Sequence, residues 1–317
     1  MIRWGIIGAG NIAARFAKSL KSESRSTLAA VSSRSQAKAE TFAKNFDAEK
    51  FYSAHDLILA DKNIDAVYIA LPHALHKDFS IKALQAGKAV LCEKPATLNF
   101  AEMKEIADVA RAEKILFMEA MKPRFVPLYE KIKSARAEIG EIISVETSLC
   151  NLMELSGKTY HTQKGQGGAL LDVGIYCASW LEDFLGEVTG VKNVTAKIEN
   201  DVDYYVDAEL IFGNKIGKLE CAFDRKKPRQ VVLHGTKGKI IVDELHRPQF
   251  ATINGKNISA PYEVDDFYGE INHFVNCLET GKFESDIITL SASLHCAKIL
   301  EMIRSEFNGS RQKFISA

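Results

Sequence analysis

Three groups of residues in this 317-residue chain have the types and spacing to act together in one reaction. Lys94 sits in Glu93-Lys94-Pro95, directly after the apolar run Ala89-Val90-Leu91-Cys92. A lysine at the carboxyl end of a buried parallel strand reaches the crevice where open α/β sheets bind ligands. Its ammonium can stabilise a developing alkoxide and lower the pKa of a neighbouring acid. Paired to Glu93 instead, it would be structural. The second group is Asp172 and Tyr176, four residues apart on one helical face of the run from Gly165 to Tyr176. An Asp in an apolar stretch needs a partner or a pocket. The phenol can exchange a proton with a substrate oxygen if a cation such as Lys94 lowers its pKa from about 10. The plainer alternative is a helix start with a buried tyrosine hydrogen bond.

The third group is Gly8-Ala9-Gly10-Asn11-Ile12-Ala13, a Gly-x-Gly-x-x-Ala loop that follows a strand and opens a helix. In that context Gly8 allows the turn and Gly10 lets a pyrophosphate approach the backbone. Ala13 holds the helix close to the sheet, and the helix N-terminus favours the phosphate charge. A nicotinamide cofactor is expected. About 20 residues on, where an NAD site places an acid on the ribose, the chain reads Ser32-Ser33-Arg34-Ser35-Gln36-Ala37-Lys38. Hydroxyls and a guanidinium suit a 2′-phosphate. The expectation is NADP, bound by Ser33 and Arg34 with help from Lys38. NAD use stays open if Arg34 is only a solvated charge. Leu71, Pro72, His73 and His76 end another strand near the same crevice, and the two histidines are read as shaping the nicotinamide pocket rather than as catalysts.

The elements that must position these groups follow from the hydrophobic rhythm. Strand-like runs at 2–8, 28–33, 65–71, 89–92 and 115–118 alternate with helical ones at 11–22, 36–46, 56–60, 76–86 and 99–114. This indicates βαβ units and a doubly wound parallel sheet. After Met121 the rhythm changes. A helix over 128–138 precedes strand-like runs at 141–149, 190–198, 204–212, 218–223, 230–235 and 239–242, several joined by tight-turn signals. Two helices, 268–278 and 290–307, follow. The expected organisation is a dinucleotide-binding domain over 1–121 and a substrate and oligomerisation domain over 122–317.

Bulk properties narrow the function classes. Lysine plus arginine and aspartate plus glutamate both number 41, so the net charge is zero and neither nucleic acid nor a membrane surface is an expected partner. No apolar stretch reaches membrane-spanning length and no secretory signal precedes the first strand, so the cytoplasm is the default expectation. The six cysteines form no CxxC and the eight histidines no HxxxH or HExxH. No metal is expected.

The glycine loop, Leu71-Pro72-His73-Ala74-Leu75-His76, Glu93-Lys94-Pro95, Met118-Glu119-Ala120 through Arg124-Phe125, and Gly167-Gly168-Ala169-Leu170-Leu171-Asp172-Val173-Gly174-Ile175-Tyr176 occur in one order. The series resembles the glucose–fructose oxidoreductase/inositol dehydrogenase (Gfo/Idh/MocA) family over essentially the whole chain. The resemblance implies a Rossmann domain followed by an α/β domain with a large, open, mainly antiparallel sheet that commonly mediates homo-oligomerisation. It implies a role for Lys94 in proton transfer, and Glu93 is counted among the candidate cofactor-binding residues. Many members carry a histidine acid/base in the later motif. Tyr176 here is similar to the NADP-dependent dihydrodiol dehydrogenase and D-xylose 1-dehydrogenase branch, where a tyrosine fills that role. Mammalian dihydrodiol dehydrogenases have an aromatic residue where this chain has Met121, which favours a sugar or polyol over an aromatic diol. His161 is read as a substrate hydrogen-bonder or a surface residue. Arg124 is read as holding Glu93 or the cofactor amide, or as structural. The expected activity is hydride transfer between NADP and a hydroxyl-bearing carbon. The competing class is a non-enzymatic NADP-binding sensor on the same scaffold.

Overall fold

The computed structural model describes residues 1–155 and 159–315, with side chains described up to Phe307. Contacts divide the chain into two compact units. The first alternates β1 (Ile2–Ile7), α1 (Asn11–Leu20), β2 (Ser26–Ser32), α2 (Gln36–Phe46), β3 (Lys50–Tyr52), α3 (His55–Ala60), β4 (Ala66–Ile69), α4 (His76–Gln85), β5 (Ala89–Glu93), α5 (Phe100–Glu113) and β6 (Phe117–Ala120). Its six strands are parallel, in the order β3-β2-β1-β4-β5-β6. Strands covered on both faces become continuous apolar runs, and β4, Ala-Val-Tyr-Ile, is buried throughout. Strand order reverses between β1 and β4, which opens a crevice at the carboxyl ends. β3 has two exposed residues of three and no apolar pattern, so periodicity does not reveal it.

Most of the second unit lies in Val126–Tyr262, with Leu98–Phe100 and the chain from Ala292 added to it. Two helices, α6 (Pro127–Ser134) and α7 (Arg136–Ile139), replace the single one expected over 128–138. After β7 (Ile142–Cys150) come α8 (Ile175–Leu185), β8 (Gly190–Glu199), β9 (Val202–Phe212), β10 (Lys215–Ala222), β11 (Gln230–Gly235), β12 (Gly238–Asp243), β13 (Phe250–Ile253) and β14 (Lys256–Ser259). They form one eight-stranded sheet, β14-β13-β12-β11-β7-β10-β9-β8, antiparallel except where β7 meets β10. The mostly buried α8 lies against β7 and β10. Alternating burial along β9 marks a sheet with one covered face.

The last helices are α9 (Tyr268–Glu279) and α10 (Leu290–Ile315). The two units do not follow one cut. Besides its N-terminal part, the first unit includes Glu263–Ser291, a segment the sequence pattern grouped with the second domain. The reason is packing: Phe274 of α9 meets Trp4 of β1 with ring centroids 4.9 Å apart, and Trp4 in turn contacts Phe16 of α1 at 5.3 Å. Arg25 adds a 2.8 Å ion pair to Glu279. No helix among the described residues is long and apolar enough to cross a membrane.

Ahead of α8, Leu170–Gly174 form a π-helical turn in place of the regular helix expected there. Its first amides need an acceptor, and Leu170 N donates to Asp203 Oδ2 at 2.6 Å. Gly168 makes room: at φ +110° a Cβ would lie 2.1 Å from Asp203 Oδ1. Burial pushes the Asp203 carboxyl up to about 6, against the pull of the Leu170 amide and the Arg304 guanidinium. The folded state therefore holds this proton more tightly than the unfolded chain. Stability falls as pH rises from about 4 to about 6, by up to roughly 3 kcal/mol from this one group. Asp203→Asn keeps an acceptor but cannot ionise. Its unfolding midpoint relative to wild type is expected to rise across that window, in urea melts followed by circular dichroism.

Candidate active site

In the first unit the glycine loop is shaped as its spacing requires. Gly8 has φ +108°, and a Cβ on it would lie 2.3 Å from the Ala70 carbonyl oxygen, so β1 and the chain leaving β4 approach as only glycine allows. At Gly10 a Cβ would meet nothing within 4 Å, so the backbone there is open to a ligand. α1 starts without a side-chain cap and with no acid in its first turn, which leaves its amides for an anion. Ala13 is fully buried against the sheet, while Ala9 and Ile12 are half-buried and Asn11 exposed. A cleft of about 720 Å³ opens beside this loop, lined by Ala9, Gly10, Asn11, Ala14, Ala37 and Lys38. Just past β2, Ser33 is half-buried and Arg34 exposed, and Lys38 in the first turn of α2 is exposed. Ser33 Oγ accepts from Ser35 N at 3.3 Å, and Ser35 caps α2. His55, which the sequence did not single out, contacts Ser32 Oγ at 2.9 Å and is lowered in pKa by burial and by Arg34.

Lys94 leaves the sheet in a turn held from three sides. Tyr68 of β4 donates its hydroxyl to Glu93 Oε1, and Lys94 N donates to Glu93 Oε2 at 3.2 Å. His76 lies between two carbonyl oxygens, Pro95 O at 2.8 Å from Nδ1 and Leu71 O at 2.7 Å from Nε2. Burial holds this imidazole below its ordinary pKa. Glu119 of β6 accepts from Ala96 N at 2.8 Å. The Lys94–Pro95 peptide is cis. Glu93, expected beside the cofactor, turns its carboxylate inward to Tyr68, and burial raises its pKa against the pull of the Lys94 ammonium. His73 is buried with its ring 5.7 Å from that of His76, and Leu71 and Pro72 are half-buried. Thus His76 ties strand ends together, with His73 packed beside it. Arg124 is buried, with a long 3.5 Å contact to the Ile287 carbonyl. Sequence reasoning missed Tyr68, which reads as an ordinary strand residue, and took Glu119 only as part of a motif, without its hold on Ala96.

In the second unit, Asp172 and Tyr176 are both buried. Asp172 has a partner: His161 Nε2 lies 3.6 Å from its Oδ2. His161 is therefore half-buried beside the motif, and its ring centroid lies 3.9 Å from that of Tyr160. Gly167 explains how the loop delivers it, since a Cβ there would lie 2.2 Å from the His161 carbonyl oxygen. The Tyr176 ring is 6.0 Å from that of His246, a residue the sequence did not flag. A phenol, a carboxylate and two imidazoles thus gather around one helix start, a set suited to holding hydroxyl groups and moving a proton.

Comparison with known proteins agrees with this geometry. A model of the oxidoreductase family with an NAD-binding Rossmann fold matches residues 2–121, and a model of the GFO/IDH/MocA C-terminal domain matches residues 130–241. Trans-1,2-dihydrobenzene-1,2-diol dehydrogenase of Mus musculus is 34% identical over 320 residues, spanning 96% of each chain. The NADP(+)-dependent scyllo-inositol 2-dehydrogenase of Bacillus subtilis is 31% identical over 318 residues, spanning 96% of this chain and 97% of its own. KijD10, a 3-ketoreductase from Actinomadura kijaniata in complex with NADP and TDP-benzene, superposes with a TM-score of 0.86 at 26% identity, over 96% of this chain and 97% of that one. Forms of that enzyme with a tyrosine changed to phenylalanine or a lysine changed to alanine also carry both ligands. With both domains matched and a relative above 30% identity along nearly its whole length, the chain belongs to the Gfo/Idh/MocA oxidoreductase family.

Proposed function

We propose that this protein is an NADP-dependent dehydrogenase that moves a hydride between the nicotinamide and a hydroxyl-bearing carbon of a sugar, polyol or trans-dihydrodiol. What supports this reading is that each unit prepares one proton-handling group: the Lys94 turn of the first, fixed by Tyr68, His76 and Glu119, and the phenol of Tyr176 on a buried helix of the second. NADP, when bound, supplies or accepts the hydride. Tyr176 acts as general acid/base on the substrate hydroxyl, and Lys94 lowers its pKa and polarises the substrate oxygen. Asp172, paired with His161, orients the substrate. The exposed cations Arg34 and Lys38, with Ser33 and no carboxylate in that segment, support a 2′-phosphate contact and hence NADP over NAD. The imidazole of His161 beside the Asp172 carboxylate, and that of His246 beside Tyr176, are groups that hydrogen-bond hydroxyls, which favours a polyhydroxylated substrate. We infer that the eight-stranded sheet also supports a homo-oligomer.

The deciding experiment follows NADPH absorbance over a panel of aldoses, polyols and trans-dihydrodiols, run in parallel with NADP and NAD. Turnover of at least one such substrate, faster with NADP, is the expected result. No turnover across the panel alongside tight NADP binding would sink the proposal. Tyr176→Phe is expected to lower kcat by about 100-fold while sparing NADP affinity. Arg34→Ala is expected to weaken NADP binding about tenfold or more with little change for NAD, measured by fluorescence titration of each cofactor.

A further inference from the structure

Outside these groups, one cluster of metal-type ligands occurs among the described residues: His273, Cys277 and Asp286, whose donor atoms all lie within 4.8 Å of one another. His273 and Cys277 are four residues apart on α9 and so share a face. Asp286 comes from the segment that follows the helix. A tetrahedral ion with bonds of roughly 2.0–2.3 Å sets its ligand atoms about 3.3–3.7 Å apart. Here Cys277 Sγ is 3.3 Å from His273 Nε2, and Asp286 Oδ1 is 3.5 Å from the same nitrogen.

The surroundings prepare each donor. Ser285 Oγ accepts from the amides of Ile287 and Ile288 at 3.0 Å each and lies 2.8 Å from His273 Nε2. With both amides on Ser285 Oγ, its remaining hydroxyl proton can point at Nε2, and in that tautomer Nε2 offers the lone pair a metal requires. Lys282 holds Asp286 Oδ2 at 2.9 Å, which leaves Oδ1 turned toward the histidine. Ligands oriented by such outer partners are characteristic of built sites. Asp286 is exposed, which gives an ion a route in, while Cys277 is buried beneath it.

We infer that His273, Cys277 and Asp286 form a binding site for a divalent zinc-class ion, with one sulfur, one nitrogen and one oxygen donor. The ion takes the Nε2 lone pair of that tautomer, and the Cys277 thiol proton leaves to solvent as the Sγ–metal bond forms. A fourth position remains open, as three-ligand zinc sites keep it. The sequence concealed the site because its pair is His-x-x-x-Cys and its third ligand lies nine residues beyond Cys277.

The test uses the full chain, stripped with a chelator and dialysed against Zn²⁺, with bound metal measured by atomic emission. One zinc per chain is expected in the wild type, with affinity at least about tenfold weaker in Asp286→Asn, an exposed change that leaves the fold in place. Substituted Co²⁺ is expected to give a thiolate charge-transfer band that disappears in Cys277→Ser. Equal zinc retention by wild type and Asp286→Asn overturns the inference, and so does a cobalt spectrum unchanged in Cys277→Ser.

Discussion

The carboxylate of Glu93 lies at the buried end of a parallel strand, where an uncompensated charge is costly, and the Tyr68 hydroxyl from the neighbouring strand compensates it. Tyr68 is itself fixed: its ring stacks on Phe16 of α1 at 3.8 Å, within the same aromatic group as Trp4. The position of Lys94 thus descends from core packing through one hydrogen bond. His76, at the start of α4, and Glu119 of β6 restrain the following residues, so the lysine leaves the sheet on a rigid stem. A side chain with four rotatable bonds delivers charge accurately only when its backbone is fixed in this way.

The second unit solves a similar problem with glycine. A helix whose opening residues include Asp172 and Tyr176 must start where its first amides find an acceptor. Asp203, reaching in from β9, provides it. Gly167 and Gly168 then have separate structural duties, one against the His161 carbonyl and one against the Asp203 carboxylate. The glycine pair is therefore a demand of close backbone and side-chain approach, and the chemistry of the later motif depends on it.

Much of this was legible in the residues alone. The parallel sheet follows from unbroken apolar runs separated by helical ones, and the role of Gly8 follows from its place between β1 and α1. The roles of Tyr68 and Glu119 were not legible, since a buried polar residue in an apolar strand looks the same whether it braces a turn or fills space. The π-helical turn at Leu170–Gly174 escaped because its hydrophobic pattern is that of a helix, and only the hydrogen-bond register differs. The partnership of His161 with Asp172 depends on a loop conformation that no periodicity encodes. The grouping of Glu263–Ser291 with the first unit likewise rests on contacts across nearly the whole chain.

That last grouping bears on how the protein is made. A ribosome emits residues in order, and domains generally fold as they emerge. The nucleotide-binding sheet is finished once β6 has appeared, yet the helix that covers Trp4 arrives only after every strand of the second unit. In the interval Trp4 lacks its Phe274 neighbour, an apolar surface of the kind chaperones hold. The two units are thus interleaved in order of synthesis: the first is closed by α9 only after every strand of the second has emerged, and the chain from Ala292, which belongs to the second, comes last.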